Sequence, residues 1–287
     1  MTPVAILLGL AAALTYGAAD FVGAVATKRA HAFSVVVFSQ LTGSVLLLAA
    51  LPFFAGYPLT LAAIGWGAAG GVAKGVGVTF LYRGLATGRM SVVAPVTGVV
   101  AASVPVLNGL ARGERPGALA LVGVVVALVA VVLVSSPGGA PGPGPGPAAP
   151  GTSSELRDAV LAGLSFGAFF VFLDAAGDDT GLWALVGARL GSLSIVPSLA
   201  LISGQPLIVA PEARAASATA GVLDVAANLF FLLASRVGLL SLAGVLTSMY
   251  PATTVLLARV VLGERLHRIQ LGGIVLAGIG VSLIATG

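Results

Sequence analysis

Ten long apolar runs, divided five and five by a stretch of alternating Gly and Pro, leave this chain few ways to fold. They lie near Pro3–Ala26, Phe33–Phe54, Thr60–Leu85, Ser91–Leu110, Gly117–Val134, Leu156–Ala175, Gly181–Ser203, Ser217–Ser235, Leu239–Val260 and Ile269–Thr286. Most are close to the roughly 20 residues with which a helix crosses about 30 Å of hydrocarbon. Pro137–Pro150 between them is too rich in Gly and Pro for a helix and too poor in apolar residues to be buried, so it reads as a linker. The expected fold is an all-α integral membrane protein of ten transmembrane helices. Its halves are residues 1–135 and 156–287, joined by a Gly/Pro-rich linker over 136–155.

Composition excludes the alternatives. At 58% hydrophobic and 8% charged, the chain carries far more apolar surface than a soluble core of 287 residues can bury, so lipid must solvate it. Ten spans leave only short connections and no room for a catalytic domain outside the membrane. The apolar start at Met1-Thr2-Pro3 lacks the basic n-region of a signal peptide and continues past Asp20, so it is read as the first span. The net charge of +4 comes from Lys and Arg placed singly at span ends, without a basic stripe or interleaved aromatics, which argues against a nucleic-acid partner. With no Cys, disulfides, thiolate metal sites and thiol nucleophiles are excluded. His31 and His267 are too few for an imidazole-rich metal site, and no cofactor is expected.

The two halves repeat each other. Shifting the first by 150 positions places Tyr16-Gly17 on Phe166-Gly167, Gly88 on Gly238, Ser91 on Ser241 and Thr97 on Thr247. Gly113-Glu114-Arg115 falls on Gly263-Glu264-Arg265, and Leu121, Gly123, Val125 and Ala127 fall on Leu271, Gly273, Val275 and Ala277. Five spans per half is an odd number, so the second half enters the membrane from the opposite side and the repeats are inverted. Inverted repeats place a site at their interface, near the midplane.

Tyr250-Pro251-Ala252-Thr253-Thr254, Gly263-Glu264-Arg265-Leu266 and Leu271-Gly272-Gly273-Ile274 resemble the closing helices of EamA-type members of the drug/metabolite transporter superfamily. Pro105, Gly113-Glu114-Arg115 and Gly123 carry the same likeness in the first half. The resemblance implies export or exchange of small metabolites such as amino acids, nucleotides or drugs by alternating access. It also implies a bacterial inner membrane and cytoplasmic termini. The chain departs from the family pattern with Tyr16-Gly17 in place of Trp-Gly and Gln40 in place of Arg, while Arg189 sits at about the expected place in the seventh helix.

Ionisable groups inside the spans need a reason, because each costs about 2.5–3.5 kcal/mol to insert. Asp20, Lys74, Arg189 and Asp224 are such groups. The 150-residue shift pairs Lys74 with Asp224, so opposite charges stand at equivalent depths. Tyr16 and Asp20 share one helical face, as do Asp224 and Asn228. These five residues are expected to converge on a midplane cavity, where Lys74 attracts a carboxylate and Asp20 or Asp224 attracts an ammonium group or takes up a proton. A permanent Lys–Asp bridge that locks the halves is the structural alternative. Gln40, Arg189 and Tyr250 complete the candidate substrate-binding set, although Arg189 can instead snorkel or pair structurally and an interfacial place is the default for Tyr250.

Pro95, Pro105 and Pro251 each remove a backbone donor and are candidate hinges or helix breaks, or tolerated kinks. Gly67, Gly71 and Gly75 make a smooth face for helix contact. Glu114 and Glu264, at helix ends, are expected to cap helices and form local ion pairs.

The leading reading is a secondary transporter of small amphipathic metabolites, amino acids or related compounds, whose partners are that solute and the bilayer, and which acts as a monomer or weak dimer. A multidrug or nucleoside efflux carrier is the nearest alternative. An intramembrane enzyme on lipid-linked substrates would need paired acids, a metal site or a nucleophile–base pair. Asp178-Asp179, the one adjacent acid pair, stands without a His motif, and a non-transporting scaffold leaves the mid-membrane charges unexplained. Lys28, Arg29, Arg89, Arg157, Arg214, Arg265 and Arg268 fall on one face and Arg112, Arg115 and Arg236 on the other. The positive-inside rule would put the first face in the cytoplasm, the reverse of what the family resemblance implies.

Overall fold

The computed structural model describes residues 2–54, 57–87, 90–135, 153–262 and 267–287. Most of the Gly/Pro linker and the second Gly-Glu-Arg turn lie outside them, as does the side chain of Pro95. The described residues are helical almost throughout: α1 (Pro3–Thr27), α2 (Ala32–Ala50), α3 (Leu61–Thr87), α4 (Met90–Ala111), α5 (Ala118–Ser135), α6 (Ser153–Ala175), α7 (Trp183–Ile202), α8 (Pro211–Val237), α9 (Leu240–Thr247), α10 (Tyr250–Leu262) and α11 (Arg268–Thr286). Eight segments are long and apolar enough to cross a membrane, and Val96–Ala111 and Ala118–Val134 are shorter apolar helices. Large apolar side chains such as Leu7, Phe53, Leu107, Val125 and Val260 point outward, as the surface of a protein solvated by lipid requires.

Helix ends follow local chemistry. Thr2 Oγ1 accepts the Ala5 N–H at 3.3 Å ahead of Pro3, and His31 Nδ1 accepts the Phe33 N–H at 3.4 Å to open α2. His267 opens α11 in a capping box with Gln270. Both histidines are therefore used at helix ends. Pro211 starts α8 six positions before the expected Ser217, because Pro at the first helical position lacks only a donor that would be unpaired there anyway.

The ninth span is two helices. α9 stops at Thr247 and α10 starts at Tyr250, since Pro251 supplies no N–H to the Thr247 carbonyl four residues back. A helix break falls at Pro251, whereas α4 runs on through Pro95 and Pro105, which corrects the helix-break reading of those two prolines. The Ala101 carbonyl, which Pro105 deprives of its donor, instead lies close against Gly167 of α6, where a side chain would collide with it.

The two halves interdigitate. α1 lies along α8, and its counterpart α6 lies along α3; α7 packs on α3 as α2 packs on α8; α4 meets α6 as α1 meets α9 and α10. α5 and α11 form a pair at one side. The α3–α7 contact is the tightest: Gly67 and Gly71 sit against the backbone of Ala184 and Ala188, and Gly187 and Gly191 against that of Ile64 and Ala68. A Cβ at any of the four would overlap a main-chain carbonyl, so these glycines let the helices touch backbone to backbone. Among α1, α6 and α8 lies a core containing Tyr16, Phe169, Phe170, Leu173 and Phe231.

Candidate functional site

Lys74 of α3 and Asp224 of α8 meet in mid-bundle, with Lys74 Nζ 2.6 Å from Asp224 Oδ1. They stand at equivalent positions of the two repeats, so each reaches the same depth from its own helix. The other carboxylate oxygen, Oδ2, accepts from Arg189 NH2 at 2.7 Å and from Asn228 Nδ2 at 3.1 Å. Arg189 NH1 in turn donates to Gln40 Oε1 on α2. Asp224 is thus held by two cations and an amide, which offsets the desolvation that either charge alone would suffer in the bundle. Tyr16 OH donates to Asn228 Oδ1 and ties α1 to the same cluster.

Five helices contribute to this network: α1, α2, α3, α7 and α8. The structure brings together Tyr16, Gln40, Lys74, Arg189, Asp224 and Asn228. Arg189 is buried and paired, so it does not snorkel. Asp20 lies outside this hydrogen-bonded network but lines the same two cavities as Lys74 and Asp224. It faces open space, and among the described residues it has no hydrogen-bond or ion-pair partner. Tyr250 is partly buried beside Tyr16, with ring centroids 6.5 Å apart, and lies inside the bundle instead of at the interface.

Two cavities meet at the charges. The larger, of about 520 Å³, runs from Asp20, Lys74 and Asp224 to Thr27 and Ala32 at the turn between α1 and α2. The smaller, of about 150 Å³, extends from the same three residues between Tyr16, Phe166, Phe169, Phe170 and Tyr250. Lys74 Nζ lies 5.0 Å from the Phe169 ring centroid and 5.5 Å from that of Tyr16, within cation–π range. A solute here would meet charges on α1, α3 and α8 and aromatic rings on α6.

The aromatic side of the site was not visible as such in the sequence. Phe166, Phe169 and Phe170 lie in an apolar run where Phe carries no signal. The one clue was the 150-residue shift, which sets Phe166 opposite Tyr16 and Phe170 opposite Asp20. Glu114 lies away from the site and caps α9: its oxygens accept the N–H groups of Leu240 at 2.7 Å and Ser241 at 3.0 Å.

The sequence pattern of the EamA-like transporter family matches residues 3–136 and again residues 159–286. A crystal structure of a protein with 16% sequence identity superposes with a TM-score of 0.80, covering 100% of this chain and 98% of that chain. At that identity the likeness shows the fold. Among curated proteins none matches the sequence.

Proposed function

Because the chain belongs to the EamA-like transporter family, we propose that its central cavity exports small amphipathic metabolites, amino acids or related compounds, by alternating access. The observation that carries this reading is the division of the cavity into a charged side and an aromatic side. Among the described residues Asp20 has no cation partner, and the Lys74–Arg189–Asp224 group carries one positive charge in excess. A zwitterion neutralises both: its ammonium group meets Asp20 and its carboxylate meets Lys74. Its apolar part then rests among Phe166, Phe169 and Phe170.

The large cavity reaches the α1–α2 turn, while Tyr16, Asn228 and the aromatic core fill the bundle toward the face that carries both termini. We place the termini in the cytoplasm of a bacterial cell and the cavity mouth outside. An introduced Cys at Gly142 that reacts with an impermeant reagent in intact cells supports this orientation; protection of that Cys reverses it.

The solute class is tested by thermal unfolding of the purified protein against amino acids, nucleosides and cationic drugs. The proposal expects a zwitterionic amphipathic solute to raise the melting temperature. Stabilisation by cationic drugs alone would replace the proposal with efflux of cations, and stabilisation by none of the three classes would remove it.

A further inference from the structure

Hydroxyl side chains on these helices nearly all donate to a carbonyl one turn back. Thr15 donates to Ala11, Ser44 to Gln40, Ser103 to Val99 and Ser217 to Ala213. α9 departs from the habit. Ser241 Oγ, Thr247 Oγ1 and, at the helix C-cap, Ser248 Oγ are buried with no hydrogen-bond partner among the described residues, as are Asn108 Oδ1 on α4, Ser192 Oγ on α7 and Arg236 Nε on α8. Thr97, the repeat counterpart of Thr247, donates to the Ala159 carbonyl at 3.1 Å. Unpartnered polar atoms are costly inside a membrane protein, where no bulk water offsets them.

Three of these six, those of Asn108, Ser241 and Ser248, lie along one seam. Ser241, Gly244 and Ser248 are spaced three and four apart and so share a face of α9. That face meets α4: a Cβ on Gly244 would strike the Pro105 ring, and one on Gly109 would press on Ser241 and Glu114. Asn108 adjoins Gly109 in the sequence. At one end of the seam, Ala101 of α4 and Tyr250, two residues past Ser248, line the aromatic cavity. At the other end, Glu114 holds the start of α9 on the face that carries both termini. The break between α9 and α10 falls beside Ser248, where a movement of α9 against α4 needs no helix to be bent.

We infer that the α4–α9 seam is the closed half of the transport route, lined by Ser248, Ser241 and Asn108 from the aromatic cavity to the termini face. Their polar groups lack partners here and gain them, from water or solute, when α9 moves off α4. The inference rests on the transport reading above and adds the path.

The natural sequence contains no Cys, so a single introduced one is the only thiol. Ser248→Cys, Ser241→Cys and Asn108→Cys are reconstituted in liposomes and exposed to a charged methanethiosulfonate from the termini face. Val245→Cys, which packs toward α1 and α5, serves as the control. The route predicts labelling at the seam positions and none at the control. Three positions carry the test, so one misfolded variant leaves two. Variants that retain transport but stay unlabelled from that face at every seam position overturn the route, as does labelling confined to the opposite face. Absence of transport in the cysteine-free parent would count against the transport reading, and the labelling pattern would still decide whether the seam opens.

Discussion

α1 and α6 hold equivalent places in the two halves, and each lies along the repeat counterpart of the other's partner, yet they face the cavity with different chemistry. α1 presents Tyr16 and Asp20 where α6 presents Phe166 and Phe170. Elsewhere the same contrast holds: Gln40 stands opposite Leu190 and Asn228 opposite Val78, while the charged Arg189 stands opposite the neutral Ser39. The shared backbone contacts show that duplication supplies the scaffold. Where one half has turned polar and the other has stayed apolar, the two together make an amphipathic cavity that neither repeat could make from two identical copies.

The largest expected loss follows from the position where both halves are charged. Asp224→Ala leaves Lys74 and Arg189 as buried cations without their shared carboxylate, which should cost about 3–5 kcal/mol in thermal or denaturant unfolding. The exchange Lys74→Asp with Asp224→Lys separates pair from context. If the halves were interchangeable here, the double variant would regain the lost stability. Because Arg189 would then face a lysine, no recovery is expected.

A smaller loss tests the part that the halves share. Gly71 lies against the Ala188 carbonyl on α7, and its counterpart Gly221 lies against the Ser39 carbonyl on α2. Gly71→Ala and Gly221→Ala should each cost roughly 1–3 kcal/mol by overpacking. A clear loss at one position and none at the other would show that the scaffold is less symmetric than its contacts indicate.

Tyr16→Phe makes α1 resemble α6 and removes one hydrogen bond to Asn228, so about 0.5–1.5 kcal/mol should be lost on unfolding. Asp20→Asn should have the least effect on stability, since no partner among the described residues is lost.

The sequence revealed those features that depend on spacing or on a charge in apolar surroundings. Span number, the repeat and the Lys74–Asp224 pairing all belong to this kind, as does the approach of Tyr16 to Asn228. Features that depend on which apolar face meets which were hidden. Arg189 reaches both Asp224 and Gln40 only because Gly43 lets α2 come close to α8, a crossing that periodicity does not specify. Prolines were equally ambiguous, because Pro105 and Pro251 remove the same donor. The neighbours decide the outcome: α4 stays helical through Pro105, with the freed Ala101 carbonyl against Gly167, while α9 ends before Pro251.

Counterflow of the best-stabilising solute in liposomes, compared between the natural sequence and Asp20→Asn, bears most directly on the division of labour between the two cavity sides. The natural protein should accumulate solute against a preload, and Asp20→Asn should not, although it unfolds at nearly the same temperature. Equal counterflow through both would mean that the Asp20 carboxylate of α1 takes no part in binding, and the charged side of the cavity would lose its assigned purpose.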